Sequence, residues 1–259
     1  MSALEDELGV TLFERLGKSL KPTALAWSIQ PDCQRFVSTY RQITARCEQE
    51  RQGIEPALRL ARDDALPEDF WRGLMRQLKQ RFPMTGISVY LAPPQELPEL
   101  VATEVVDLAF GLGVPGVEEI SVTSTSLGGL RQWMVVSQQH PLARLPQVCP
   151  EDLAAHSQVT LAFVGADEQL VPDLTGSGNY LALTQFELIR DAVMEGTGWA
   201  WLPQPLIDEA LQAGRLKVVK TEEAILWHVF RCFERSGGLK GQVASWLESQ
   251  LVSYLSRFS

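Results

Sequence analysis

Apolar and polar positions repeat with two different periods along this chain, and the change of period divides it. Leu4 and Leu8 stand one turn apart with Glu5, Asp6 and Glu7 between them, which predicts a short helix over residues 2–8 that Gly9 ends in a left-handed cap. The stretch VTLFERLGKSLKP then alternates about Gly17 and Lys18 and predicts a small β-hairpin with Lys18 and Lys21 at its tip. From about residue 23 to 52 the period returns to that of a helix. Leu25, Ile29, Phe36, Val37, Tyr40 and Ile43 form one stripe, Arg35, Arg41 and Arg46 a wet face, and Pro31 is expected to start or kink the helix.

Beyond residue 56, strand and helix patterns alternate. ALRLA (57–61), GISVYLA (86–92) and VVDLAFG (105–111) read as strands separated by a helix between Pro67 and Pro83 and a short helix in PQELPELVAT. A strand beginning at RQWMVVS (from 131), a short helix PEDLAAH and a strand QVTLAF (158–163) follow. TQFELIRDAVMEG then predicts a helix, WAWLP a strand, PLIDEALQAG a helix, KVVK and AILWHVFRCFE strands, and GQVASWLESQLVSYLSRF a closing helix. Strands separated by helices of this length predict βαβ units and a parallel sheet, hence an α/β fold.

Composition adds bounds. At 259 residues the chain exceeds the usual single core, and 45% hydrophobic with 21% charged residues is ordinary for a globular protein. No segment approaches the roughly 18 apolar residues of a membrane span, and a cytoplasmic location is expected. The net charge of -9 is unevenly spread: residues 1–52 hold seven of the 23 Lys/Arg and seven of the 32 Asp/Glu, so the acid excess lies entirely beyond them. Polyanion binding can come only from the first segment. Cys33, Cys47, Cys149 and Cys232 lack metal or disulfide spacing, so no metal site or cofactor is expected. His140, His156 and His228 fall in a turn, a helix end and a strand, with no acid or hydroxyl constellation to match, and are read as satisfied structural residues. GTGWAW fits neither a P-loop nor a dinucleotide fingerprint; its glycines are expected to end a helix and let it pack closely on the next strand.

Together these residues resemble a LysR-type transcriptional regulator. LEDELGVTLFER is similar to the family's end of recognition helix and start of wing; LKPTA stands in place of its LTxAG motif, with Lys21 for the Thr and Thr23-Ala24 for Ala-Gly. VMEGTGWAWLP carries Val193, Gly196, Gly198, Leu202 and Pro203 in register with the family's V-x-x-G-x-G-x-x-x-L-P, and VVDLAFG resembles its third-strand motif. The resemblance implies a wing remnant over 1–22, a linker and dimerisation helix over 23–55, and a bilobed effector domain of the type 2 periplasmic-binding-protein kind. Its two Rossmann-like lobes would comprise 56–128 with 226–259, and 129–225, with crossover strands near 128–135 and 225–232 as hinge. It also implies that roughly the first thirty residues of a helix-turn-helix are missing, through a misplaced start or a truncation. Arg15, Lys18 and Lys21 could then touch phosphates without reading bases, leaving DNA binding impaired. A homodimer or homotetramer built on the apolar stripe is expected.

Ligands of such sheets bind outside the carboxyl ends of strands. That places a small-molecule effector at Asp63, Asp64 and Ala65 after the first strand, at Gly111 and Gly113 after the third, at Phe163 and Gly165 in the second lobe, and at Thr184 and Phe186 on a helix N-terminus. A carboxylate of Asp63 or Asp64 facing the cleft would favour a neutral or amine-bearing effector; otherwise Asp64 is expected to cap the helix opened by Pro67. Rival readings on the same fold are an enzyme, against which stands the missing acid/base or nucleophile motif, and a stand-alone small-molecule-binding protein, which would have no use for a wing and linker.

Overall fold

The computed structural model describes residues 2–16, 19–115, 121–165, 167–173, 176–237 and 240–258. The chain forms two compact units, 1–53 and 54–259.

In the first unit, helix α1 (Ser2–Leu8) ends at Gly9 with φ +65°, the left-handed conformation that glycine adopts without a Cβ penalty. Strands β1 (Phe13–Leu16) and β2 (Ser19–Pro22) pair antiparallel as the predicted hairpin; Lys18 lies outside the described residues. The Glu5 carboxylate ties α1 to the hairpin by accepting from the Leu12 N–H at 2.6 Å and the Phe13 N–H at 3.0 Å, which holds its pKa below the usual range. Helix α2 (Ala24–Arg51) starts seven residues ahead of Pro31, which therefore neither opens nor ends it. Thr23 supplies the start instead: its Oγ1 accepts from the Ala26 N–H at 3.2 Å, a side-chain cap that fixes the first turn. No residue of α2 is buried.

In the second unit, β3 (Ala57–Arg62), α3 (Glu68–Arg81), β4 (Gly86–Leu91), the 3-10 turn η1 (Pro94–Glu96), α4 (Leu97–Ala102) and β5 (Leu108–Leu112) build the first lobe's βαβ units. Then come β6 (Val122–Ser137), the 3-10 turn η2 (Pro141–Arg144), α5 (Pro150–Ala154), β7 (Gln158–Val164), β8 (Leu170–Pro172), β9 (Tyr180–Leu183), α6 (Phe186–Met194) and β10 (Trp199–Pro203). Helix α7 (Gln204–Gln212), β11 (Leu216–Val218), β12 (Ile225–Arg235) and α8 (Gln242–Leu255) complete the chain.

The sheet runs β4-β3-β5-β12-β6-β10-β7-β8, with β11 on β6 and β9 on β7. It is mixed rather than parallel throughout. β3 pairs parallel with β4 and β5, and β7 with β9 and β10, whereas β12 runs antiparallel to both β5 and β6. β6 begins at Val122, nine residues before the predicted RQWMVVS strand; its first part, VTSTSLGG, has no apolar alternation because β12 beside it supplies the pairing. β6 and β12 are the long members that join the lobes. Their register shifts between Phe230 and Arg231, where Leu127 is the extra residue of a bulge.

Side chains alternate across the sheet into separate cores. Leu58 and Leu60 of β3 pack with α3 and α8 residues such as Leu78, Leu247 and Leu251, while Ala61 faces Leu97 and Val101 of α4. In the second lobe Val135 joins the large core, and its neighbours Met134 and Val136 turn to Leu142, Leu153 and Trp199. Of the glycines of GTGWAW, Gly196 ends α6 as expected, with φ +90° just past it, whereas Gly198 makes room for a different neighbour than the helix: a Cβ there would lie 2.0 Å from the carbonyl oxygen of Ser157, ahead of β7.

Candidate functional site

A cavity of about 260 Å³ lies between the lobes. The first lobe contributes Pro94 and Gln95 of η1, Leu112 at the end of β5 and residues 113–115 after it; the joining strands contribute Gln132, Leu226 and His228. The second lobe closes it with residues 158–161 of β7, Asp173 after β8, Phe186 at the start of α6 and Trp201 of β10. Leu226 pairs with Gln132 across β6 and β12, so strand alternation puts Leu226 and His228 on the cavity side while Trp227 turns away onto Arg131.

Most of the wall is apolar, and its polar groups are few and specific. Gln95 Nε2 donates to Asp173 Oδ2 at 3.4 Å across the cleft, while Gln95 Oε1 is buried with no hydrogen-bond partner. His228 Nε2 is likewise buried and unpartnered, which corrects the expectation that all three histidines are satisfied. Burial holds the His228 imidazole below its ordinary pKa, while a hydrogen bond to the Gly113 backbone and the charge of Asp173 pull the other way. Burial raises Asp173, with His228 opposing. His140 does have a structural role: its Nδ1 accepts from the Leu142 N–H at 3.3 Å, and its ring meets His156 edge-on at 4.8 Å.

The sequence-predicted residues divide. Gly113 and Phe186 line the cavity; Asp63, Asp64, Ala65, Gly111, Phe163, Gly165 and Thr184 are not in its wall. Asp63, fully buried, stays within its own lobe: Oδ1 accepts from the Ala65 N–H at 3.1 Å and Oδ2 from the Leu112 N–H at 2.7 Å. Burial pushes its pKa up to about 7 against those two bonds, which favour the ionised form. Gly111 is required by this arrangement, since a Cβ there would lie 2.3 Å from Leu97 Cδ1 and 2.7 Å from Asp63 Oδ2. Thr184 is exposed, and Gly165 turns the chain between β7 and β8, its N–H donating to the Gln169 carbonyl at 2.8 Å.

Asp64 caps a helix, but not the one opened by Pro67, whose start has no side-chain cap. Its Oδ2 accepts from the Glu187 N–H at 2.9 Å, so a first-lobe carboxylate caps α6 of the second lobe. The α6 N-cap residue, Gln185, makes no cap bond of its own. Glu55, just ahead of β3, does the same for α8, accepting from the Val243 and Ala244 N–H groups at 2.9 and 3.1 Å. Gly241 leaves room for it, because a Cβ there would be 2.1 Å from Glu55 Cδ. Glu96 adds another bridge between lobes, accepting from the Val164 N–H at 2.9 Å.

Arg15 and Lys21 lie exposed on β1 and β2 of the hairpin; Lys18 is outside the described residues. Among the described residues no cluster of His, Cys, Asp and Glu is arranged to hold a metal ion, and no helix is long and apolar enough to cross a membrane.

Residues 51–252, well over half of the chain, match the LysR substrate binding domain family. The chain belongs to the LysR family. Among LysR relatives, the HTH-type transcriptional regulator AceR of Acinetobacter baumannii is 26% identical over 208 residues, covering 80% of this chain and 68% of that protein. The fold is that of solved LysR structures. The full-length virulence activator AphB of Vibrio cholerae superposes with a TM-score of 0.56 at 18% identity, over 98% of this chain and 87% of that one. The regulatory domain of MetR from N. meningitidis superposes with a TM-score of 0.60 at 14% identity, over 78% and 94%. The LysR relatives named here are transcriptional regulators rather than enzymes, and the bilobed unit corresponds to their substrate-binding domain.

Proposed function

We propose that the interlobe cavity is the effector site of a ligand-responsive LysR regulator. In this reading α2 joins two copies of the chain, and Arg15 and Lys21 of the hairpin touch DNA phosphates. The observation that carries it is the cavity wall itself. It draws residues from both lobes and both joining strands, and leaves Gln95 Oε1 and His228 Nε2 buried without partners. Unpaired buried acceptors cost free energy that a bound molecule can recover. A ligand touching both lobes also changes the balance between open and closed arrangements, which is what a sensor requires. For assembly, Phe36, Tyr40 and Ile43 expose large apolar surface along one helix, a stripe that a second copy of α2 can cover.

A small-molecule library screened by thermal shift tests the site, with Leu226→Trp as control, since an indole there fills the cavity. Compounds that raise the melting temperature of the unaltered chain should lose their effect in Leu226→Trp. Hits that stabilise both chains equally would place the effector site elsewhere.

A further inference from the structure

We infer that the cavity admits a compact hydrogen-bond donor, uncharged or cationic (an amine, amide or amidine on a small apolar body), and turns carboxylates away. The inference rests on the reading of the cavity as effector site and adds the chemical class of the effector.

Three observations carry it. The first is the sign of the wall. Among its described residues the ionisable groups are Asp173 and His228, and there is no Lys or Arg to receive an anion.

The second is the polarity of the unsatisfied groups. Gln95 gives one amide N–H to Asp173 and leaves its carbonyl oxygen, an acceptor, without a partner. His228 Nε2 has no partner, and in the neutral ring with its proton on Nδ1 that nitrogen is an acceptor. With the Asp173 carboxylate, these open positions call for donors on the ligand.

The third is Asp64. The N-terminus of α6 would be the strongest anion-binding feature of the wall, because Phe186 is both its first residue and a lining residue. One of those N–H groups, that of Glu187, is already taken. Asp64 reaches across from the opposite lobe, is 4% exposed, and accepts from the Glu187 N–H at 2.9 Å. The protein places its own carboxylate behind Phe186 at this helix start, and a ligand carboxylate brought up to Phe186 would meet like charge in a poorly solvated place.

The test uses three probes with one ring and different heads: benzylamine, benzamide and benzoate, titrated calorimetrically at millimolar concentration into the full chain. Benzylamine and benzamide should bind and benzoate should not. Asp173→Asn should weaken benzylamine at least about fivefold more than benzamide, through loss of a charge that only the amine feels. Asp64→Ser, which keeps one hydroxyl acceptor for α6 and vacates the second, should strengthen benzoate by about tenfold or more. A circular dichroism spectrum matching the unaltered chain qualifies each variant, and Asp173→Asn alone suffices should Asp64→Ser fail to fold. Benzoate binding the unaltered chain as tightly as benzylamine overturns the inference, as does failure of both amine and amide to bind. The two readings fail separately. Benzoate binding that Leu226→Trp abolishes leaves the site in place and removes only its ligand class, whereas amine binding that survives Leu226→Trp removes the site.

Discussion

Helices α2 and α8 solve the same problem in opposite ways. Both are amphipathic and carry aromatic residues on their apolar side. α8, 14 residues long, buries Val243, Ala244, Leu247, Leu251 and Leu255 against the sheet and α3. α2 is twice that length at 28 residues and buries none; Phe36 is 74% exposed and Tyr40 64%. A helix draws most of its stability from covering its apolar face, so α8 is completed within its own unit, whereas the hairpin and α1 of its unit leave the α2 stripe uncovered. Amphipathic pattern alone does not distinguish the two cases; the place where the partner surface is encoded does.

The largest effect should come from breaking the buried side of this contrast. Leu247 is fully buried in the main core, and Leu247→Ala should destabilise the second unit by about 2–5 kcal/mol in urea unfolding followed by fluorescence. A loss under about 1 kcal/mol would mean that α8 is not held by this packing.

On the exposed side, Phe36→Glu combined with Tyr40→Glu should raise the dimer dissociation constant by more than about thirtyfold, about 2 kcal/mol, in sedimentation equilibrium. The same pair should move the unfolding of the second unit by less than about 0.5 kcal/mol. An unchanged dissociation constant would show that the stripe is covered by something other than a second copy.

Asp63 sharpens the comparison within the buried region, because a carboxyl completed entirely by its own lobe makes stability depend on pH. Its folded pKa, pushed up to about 7, lies above the ordinary 3.8, so the folded state binds more protons than the unfolded one between those values. Stability from this group is therefore present at low pH and lost as pH rises from about 4 through about 7, and Asp64, also raised by burial, adds in the same direction. Asp63→Asn should flatten that slope in melting temperatures taken across the range. It should also cost about 1–3 kcal/mol near pH 5, since an amide presents an N–H to one of the two backbone donors. A slope as steep as that of the unaltered chain would remove Asp63 as its source.

Most elements were legible in the sequence because their signals are local. Gly9, the hairpin alternation, Pro67 and Pro83 around α3, and Gly196 each act within a few residues. What escaped depends on neighbours far along the chain. The first part of β6 lacks apolar alternation and is a strand because β12 pairs with it; β8 and β9, flanked by loops, carry too few residues for a period to show. The site was legible only as strand ends. Gly113 and Phe186 fell in the cavity wall, whereas Gln95, Asp173 and His228 could be found only through contacts across lobes. The alternation that turns Leu226 and His228 to one side and Trp227 to the other was the one available hint. Asp64 is the clearest limit: a capping carboxylate could be read locally, but the helix it caps begins more than a hundred residues later.

The antiparallel place of β12 between β5 and β6 also orders the chain in time. β3, β4 and β5 leave the ribosome with the inner edge of β5 unpaired, and the α8 that covers Leu58 and Leu60 has not yet been made. β7, β9, β10 and β11, with α5, α6 and α7, follow as one continuous stretch that can pair and pack on the β6 already synthesised. Only when β12 and α8 emerge is the β5 edge closed. An apolar sheet edge left waiting through the synthesis of a whole lobe is the kind of surface that holding chaperones bind and that aggregation exploits. The lobe translated first is the one finished last.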